Sequence, residues 1–183
     1  MGNLGIGDEG VKLISSCLKK KSVSLKELGL EQNKIGVEGI KELSENLKIN
    51  KSITELDLRN NQIGDEGAKV LAEMLSYNNS IKYLCLMNNK MTDKGAQYLL
   101  ESIKNSNNTL ERLEFRFNNV KDSTLSANLK KMVSKNSEIS PFNLNIKRKM
   151  LILQKRKDGN IVSSLPRRVL IYLLAFLDFL PKD

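Results

Sequence analysis

The sequence has no histidine and no tryptophan, and only 3 prolines, 2 cysteines and 5% aromatic residues among 183. Without histidine, a serine or cysteine triad with an imidazole base is excluded, as is every His-bearing zinc site. Two isolated cysteines, Cys17 and Cys85, supply neither a four-cysteine metal cluster nor a disulfide framework. No metal and no cofactor are therefore expected, and a reducing, cytoplasmic setting is. Residues 1–10 lack the basic start and apolar run of a signal peptide. No stretch reaches the roughly 18 apolar residues of a bilayer-spanning helix, so no membrane span is expected. No acid, base and nucleophile fall into a catalytic pattern, and the expectation is a chain that is not an enzyme.

What is present is enough apolar residue, 40%, to build a core, and a net charge of +9. Excess Lys and Arg attract phosphates, acidic lipid or acidic protein. The charge is unevenly placed. Residues 140–183 carry nine basic and three acidic side chains, two thirds of the excess, and leave residues 1–139 close to balanced.

Those earlier residues repeat. Leu25-Lys-Glu-Leu28-Gly-Leu30-Glu-Gln-Asn33-Lys-Ile35-Gly36 returns as Ile53-Thr-Glu-Leu56-Asp-Leu58-Arg-Asn-Asn61-Gln-Ile63-Gly64. It returns again as Ile81-Lys-Tyr-Leu84-Cys-Leu86-Met-Asn-Asn89-Lys-Met91 and as Leu110-Glu-Arg-Leu113-Glu-Phe115-Arg-Phe-Asn118-Asn-Val120. The asparagines stand 28, 28 and 29 residues apart. A fixed period in this range marks a stacked-repeat architecture.

The pattern LxxLxLxxNxI at this period resembles the leucine-rich repeat family over about residues 4–135. Its Ile-Gly-Asp-Glu-Gly blocks look like the ribonuclease-inhibitor-like subclass. The resemblance implies an α/β solenoid of about four and a half repeats, with a curved parallel sheet inside and helices outside. The residues agree. In each copy the LxL portion alternates with strand period, and the second half changes to helical period. The helical stripes are Val11, Ile14, Ser15, Leu18; Ile40, Leu43, Ser44, Leu47; Ala68, Leu71, Ala72, Leu75; and Ala96, Leu99, Leu100, Ile103. Asp8, Asp65 and Asp93 are expected to accept hydrogen bonds from the first turn of each helix, and Glu9 and Glu66 to favour its positive end. Gly10, Gly39, Gly67 and Gly95 fall at one register, where a missing Cβ permits close helix packing.

Asn33, Asn61, Asn89 and Asn118 are read as structural: in leucine-rich repeats this amide sits inside the turn and satisfies backbone groups of adjacent copies. At the start, residues 4–10 hold the second half of a repeat without its strand. Either Met1 is not the ancestral start or the open end pairs with something. At the other end the register slips, leaving Leu125, Leu129, Met132 and Val133 as the apolar set, and the array is expected to stop near Lys135.

Function in such folds belongs to the exposed positions between the structural leucines. Copy by copy these are Glu27, Gly29, Glu31; Glu55, Asp57, Arg59; Tyr83, Cys85, Met87; and Arg112, Glu114, Arg116. Phe117 fills a slot that is Gln32, Asn60 and Asn88 in the other copies. Aromatic, Met and Arg residues are enriched at interface hot spots. Arg59, Tyr83, Met87, Arg112, Arg116 and Phe117 are therefore the candidate surface for a protein partner on the concave face. The alternative is a patch covered within the same chain. Cys85 is expected to face solvent, with no histidine to activate it.

Residues 136–163 read as a basic linker or hairpin. Its Lys147-Arg148-Lys149 and Lys155-Arg156-Lys157 clusters could mimic a bipartite nuclear import signal, but without interleaved aromatics no specific nucleic-acid site is expected. Residues 164–183 read as an apolar helix with Pro166 in its first turn. This helix either caps the array or binds an adaptor. Leu165-Pro166-x-x-Val169-Leu170-x-x-Leu173-Leu174-x-Phe176-Leu177 resembles the opening of an F-box and the closing part of a SOCS box, both of which recruit cullin-type ubiquitin ligases. That resemblance implies a substrate receptor whose adaptor site is Leu165, Pro166, Val169, Tyr172, Leu173 and Phe176. The alternative, also by resemblance of the repeats, is a small-GTPase regulator of the Ran GTPase-activating-protein type.

Overall fold

The structure is a computed structural model in which residues 4–18 and 25–138 are described, all within one compact unit, Met1–Glu138. The order is α1 (Gly7–Leu18), β1 (Glu27–Gly29), α2 (Val37–Ile49), β2 (Glu55–Asp57), α3 (Gly64–Tyr77), β3 (Tyr83–Cys85), α4 (Asp93–Asn105), β4 (Arg112–Glu114) and α5 (Ser123–Glu138). The four strands form one parallel sheet in the order β1-β2-β3-β4. Leu28, Leu56, Leu84 and Leu113 stand beside one another in register. Because the pairing offset equals the sequence period, each residue neighbours its own equivalents, and a feature present in every copy becomes a row across the molecule.

The alternating leucines explain the strands. Leu30, Leu56, Leu58, Leu84 and Leu86 are fully buried, in one core with the helical stripes. Each such side chain contributes roughly 1.5–3 kcal/mol on burial, yet only once the adjacent repeat closes over it, so stability depends on stacking. The predicted stripes of α2 and α3 are wholly buried, while Ile14 and Leu100 are half-buried. In α5, Leu125, Leu129 and Val133 are buried, with Met132 packed against the core. One register went unpredicted: Asn46, Met74 and Ser102 are buried too. Ser102 Oγ donates to the Ala72 carbonyl at 2.6 Å, so the hydroxyl is bonded despite its burial.

The asparagine rows carry the loops. Asn61 Oδ1 accepts from the N–H groups of Asn33 and Ile35, both at 3.0 Å, and its Nδ2 donates to the carbonyls of Leu30 and Leu58, both at 2.9 Å. Asn118 does the same two copies on, accepting from Asn89 N–H (2.8 Å) and Met91 N–H (3.0 Å) and donating to Leu86 O and Phe115 O. The half-repeat at the start is tied in equally, since Asn33 Oδ1 accepts from Leu4 N–H and Ile6 N–H.

A second ladder lies where each helix returns to the next strand. Asn78 Nδ2 donates to Leu47 O at 2.6 Å while its Oδ1 accepts from Ser80 N–H and Ile81 N–H. Asn107 repeats this with Leu75 O, Thr109 N–H and Leu110 N–H, and Asn50 Oδ1 accepts from Ser52 and Ile53. These Asn-x-Ser/Thr triplets have the form of glycosylation acceptors, but the Asn78 and Asn107 amides are buried and bonded to the backbone.

The helix starts differ from expectation. Asp8, Asp65 and Asp93 do not cap their own helices; they reach forward to the following repeat. Asp8 Oδ1 accepts from Gly36 N–H at 2.7 Å. Asp65 accepts from Thr92 N–H (2.7 Å), Thr92 Oγ1 (2.7 Å) and Gly95 N–H (3.0 Å). Asp93 accepts from Lys121 N–H and Asp122 N–H. Each aspartate lies inside its own helix, past the capping position, so its carboxylate is directed at the free N–H groups of the neighbouring helix start. The recurrent glycine makes room for this: a Cβ on Gly39 would stand 2.6 Å from Asp8 Oδ1, and one on Gly95 the same distance from Asp65 Oδ1. At Gly10 and Gly67 the nearest atoms belong instead to Ile6 and Ile63 of the same helix start. The second repeat has Val37 at the aspartate register and passes no carboxylate to α3.

The expected apolar helix at 164–183 and nearly all of the basic segment 136–163 lie outside the described residues.

Candidate functional site

The sheet turns its leucines to the helices and the intervening residues the other way. Alternate residues of a strand share a face, and the in-register pairing arranges these residues in rows: Glu27, Glu55, Tyr83, Arg112; then Gly29, Asp57, Cys85, Glu114. Beyond the strand ends the ladder continues, with Gln32 N–H donating to Arg59 O, Asn60 N–H to Met87 O and Asn88 N–H to Arg116 O. Glu31, Arg59, Met87 and Arg116 thus form the third row.

Five of the six candidate residues come together here. Arg112 lies over the Tyr83 ring, 5.0 Å from its centroid, within the range of a cation–π contact. Met87 stands between Arg59 and Arg116 in its row. The arginines are held from below by acids two residues away on the same strand. Arg59 Nε bonds Asp57 Oδ2 at 2.7 Å, with Nη2 bonded to the same oxygen, while Glu114 takes Arg112 Nη2 at 3.4 Å and Arg116 Nη2 at 3.3 Å. Burial works to raise the Asp57 pKa, but bonding to Arg59 prevails and holds it below the usual carboxylate range. Glu114 is largely covered while Arg112 and Arg116 each keep 68% of their side chains exposed. The guanidinium groups are therefore positioned and still open to a partner. These bridges were in the sequence as Asp57-x-Arg59 and Arg112-x-Glu114-x-Arg116, charges placed on one face by strand period.

Cys85 is the correction. It is fully buried rather than solvent-facing. It occupies the middle row, with Tyr83 and Met87 to either side along its strand and Asp57 and Glu114 on the strands flanking it. Burial raises the thiol above its ordinary pKa, the nearby Asp57 charge adds to this, and a protonated, covered thiol is not a nucleophile. Burial likewise raises the Tyr83 phenol.

Phe117 belongs to the turn after β4. Gln32, Asn60, Asn88 and Phe117 all have left-handed backbone, with φ of 58°, 56°, 50° and 60°. Asparagine tolerates this region; a bulky aromatic there is an outlier. Asn88 Nδ2 also donates to Asn60 Oδ1 at 2.9 Å, a polar contact between copies that phenylalanine cannot continue. Phe117 is 76% exposed.

The sheet face has an electrostatic direction. Glu27 and Glu55 are exposed at the β1–β2 end, Arg112 and Arg116 at the β4 end. Among the described residues no group of three or more Cys, Asp or Glu side chains is arranged to hold a metal, and no helix is long and apolar enough to cross a membrane. The expected adaptor residues Leu165, Pro166, Val169, Tyr172, Leu173 and Phe176 lie outside the described residues.

Compared with known proteins, the chain matches a family model described as Leucine Rich repeat at residues 21–44, 50–72, 77–100 and 106–127, just over half its length. By sequence, none of the curated proteins is similar to it. Among solved structures it is similar to the actin-binding site 2 of leiomodin-1, with TM-score 0.66 and 22% identity, over 81% of this chain and 82% of that one. It also matches the tropomodulin C-terminal domain of Caenorhabditis elegans, with TM-score 0.46 and 17% identity, over 75% and 97% of the two chains.

Proposed function

The chain belongs to the leucine-rich repeat family, and we propose that it is a protein-interaction module that reads its partner with the sheet face of β2–β4. The observation that carries this is the Tyr83–Arg112 stack beside the row Arg59, Met87, Arg116, with each arginine pre-set by an acid of its own strand. Fixing long side chains in advance lowers the entropy lost on binding, and aromatic and arginine side chains dominate hot spots. In a stacked-repeat protein this face is the concave one, where a partner meets several strands at once. The first partner to try is actin, because the similar leiomodin-1 segment is named for binding it. Co-sedimentation with filaments and affinity capture from lysate, each with the Tyr83→Ala/Arg116→Ala double variant alongside, test the assignment. A captured protein that holds both forms equally well would discard this face.

The finer role, substrate receptor of a cullin-type ubiquitin ligase, rests on the resemblance of residues 165–177 alone. In that role the repeats would choose the target and the tail would hold a Skp-type adaptor or elongin. A pull-down with the intact tail that recovers neither would end that reading.

A further inference from the structure

We propose that Phe117 is the anchor of this face, and that the partner is a polypeptide segment seating an apolar side chain on Phe117 beside its own acidic residues, with its acidic end at β4. The inference rests on the use of the sheet face proposed above and adds the chemistry and direction of the ligand. Phe117 combines two unfavourable features, a left-handed backbone and broad exposure of an aromatic ring, at a slot where the other three copies have Gln or Asn. It also cannot extend to its own copy the side-chain contact that Asn88 makes to Asn60. A residue that is unfavourable at its own position and contributes nothing to the core has its use outside the molecule.

The charges around it specify what comes. Arg116 directly precedes Phe117, Arg112 begins the strand that leads into its turn, and Lys90 and Lys121 are exposed on the adjoining loops. The acids of this corner are already committed. Glu114 is shared by both arginines. Asp93 accepts from the N–H groups of Lys121 and Asp122, and Asp122 from those of Thr124 and Leu125. The corner thus sets four basic side chains against three acids around an apolar ring, each acid already holding hydrogen bonds or ion pairs within the chain. At the far end Glu27 and Glu55 present the opposite sign, so a segment crossing the strands binds in one direction only.

The test is a selection of random short peptides on the full chain. One selected peptide is then titrated by fluorescence anisotropy against wild type, F117N, R116E and Y83A/R116A, with melting curves for each protein. The expected result is enrichment of acidic residues next to a large apolar one. Affinity should fall about tenfold or more in F117N and R116E, while F117N melts higher than wild type. Selected peptides without acidic enrichment, or equal affinity for F117N, would overturn the anchor. If affinity is nonetheless lost in Y83A/R116A, the sheet-face reading survives that failure. Peptides insensitive to all three variants, or no enrichment at all, count against both. Oligothymidine is the control for a nucleic-acid ligand: tight binding that F117N abolishes, without any peptide selected, would overturn the polypeptide assignment.

Discussion

Replacing Asp65 by Ala tests the forward capping directly. Its carboxylate accepts three hydrogen bonds from the start of α4, two from Thr92 and one from Gly95 N–H. Loss of a helix cap costs typically about 1 kcal/mol, and removing a negative charge from the positive end of a helix a further ~0.3–1 kcal/mol. Thr92 is exposed, so water recovers part of this, and about 1.5 kcal/mol is expected for D65A. At roughly 4 °C per kcal/mol for a domain of this size, melting should fall by about 6 °C. Two further readouts separate capping from a generic surface effect. Burial works to raise the Asp65 pKa, but the bonds from Thr92 and Gly95 outweigh it and hold the carboxyl below its ordinary value. A depressed pKa gives stability that is complete above the unfolded-state value of about 3.9 and disappears as pH falls through the folded one. The gap between wild type and D65A should therefore be constant from neutral pH down to about 5 and close below about 4. The second readout is Gly95→Ala, whose Cβ would stand 2.6 Å from Asp65 Oδ1. It should be destabilising in wild type and about 1 kcal/mol less so in D65A, where that contact is gone and the helix propensity of Ala is felt. Urea melts followed by circular dichroism give all four corners of the cycle. A D65A loss below ~0.3 kcal/mol, or additive variants, would refute the forward cap.

Other outcomes follow from the same structure. Asn61→Leu removes every side-chain bond that Asn61 makes to the backbone of its own and the preceding copy. At about 1–3 kcal/mol for each buried group left unpaired, it should cost more than 3 kcal/mol by urea melt; a loss under 1 kcal/mol would contradict the ladder. Of the two thiols, Cys17 is exposed and Cys85 buried, so a thiol reagent at neutral pH should label one equivalent at once and the second only on unfolding, with mass mapping placing the fast one at Cys17. Phe117→Asn should raise stability by about 1 kcal/mol by relieving the left-handed strain, measurable as a higher melting temperature; a lower one would mean that the ring packs within the molecule.

Much of the fold was legible because periodicity is a property of sequence. The spacing of Asn33, Asn61, Asn89 and Asn118 fixed the repeat length, and the alternating leucines fixed which side of each strand is buried. What was missed depends on neighbours across copies. The aspartates were read against the nearest free N–H groups along the chain, those of their own helices, whereas the closest in space belong to the next repeat. Asn50, Asn78 and Asn107 share the period of the first ladder, but they fall outside the LxxLxLxxNxI pattern, between each helix and the next strand. At the site, Tyr83, Met87 and the arginines could be placed on one face from strand alternation alone. The burial of Cys85 could not, because it depends on how side chains of three strands close over the middle row. Phe117 stood out in sequence as a substitution in an otherwise polar slot, and the structure adds the positive φ that makes phenylalanine unfavourable there.

The account's central claim is that the face built from Arg59, Tyr83, Met87, Arg112 and Arg116 is where a protein partner binds. The most direct measurement is the calorimetric affinity of a captured partner for wild type and for Tyr83→Ala/Arg116→Ala, with melting temperatures of both. A loss of about tenfold or more at unchanged stability is predicted, since each truncated hot-spot side chain costs upwards of ~1 kcal/mol. Equal affinity in two equally folded proteins would contradict the claim.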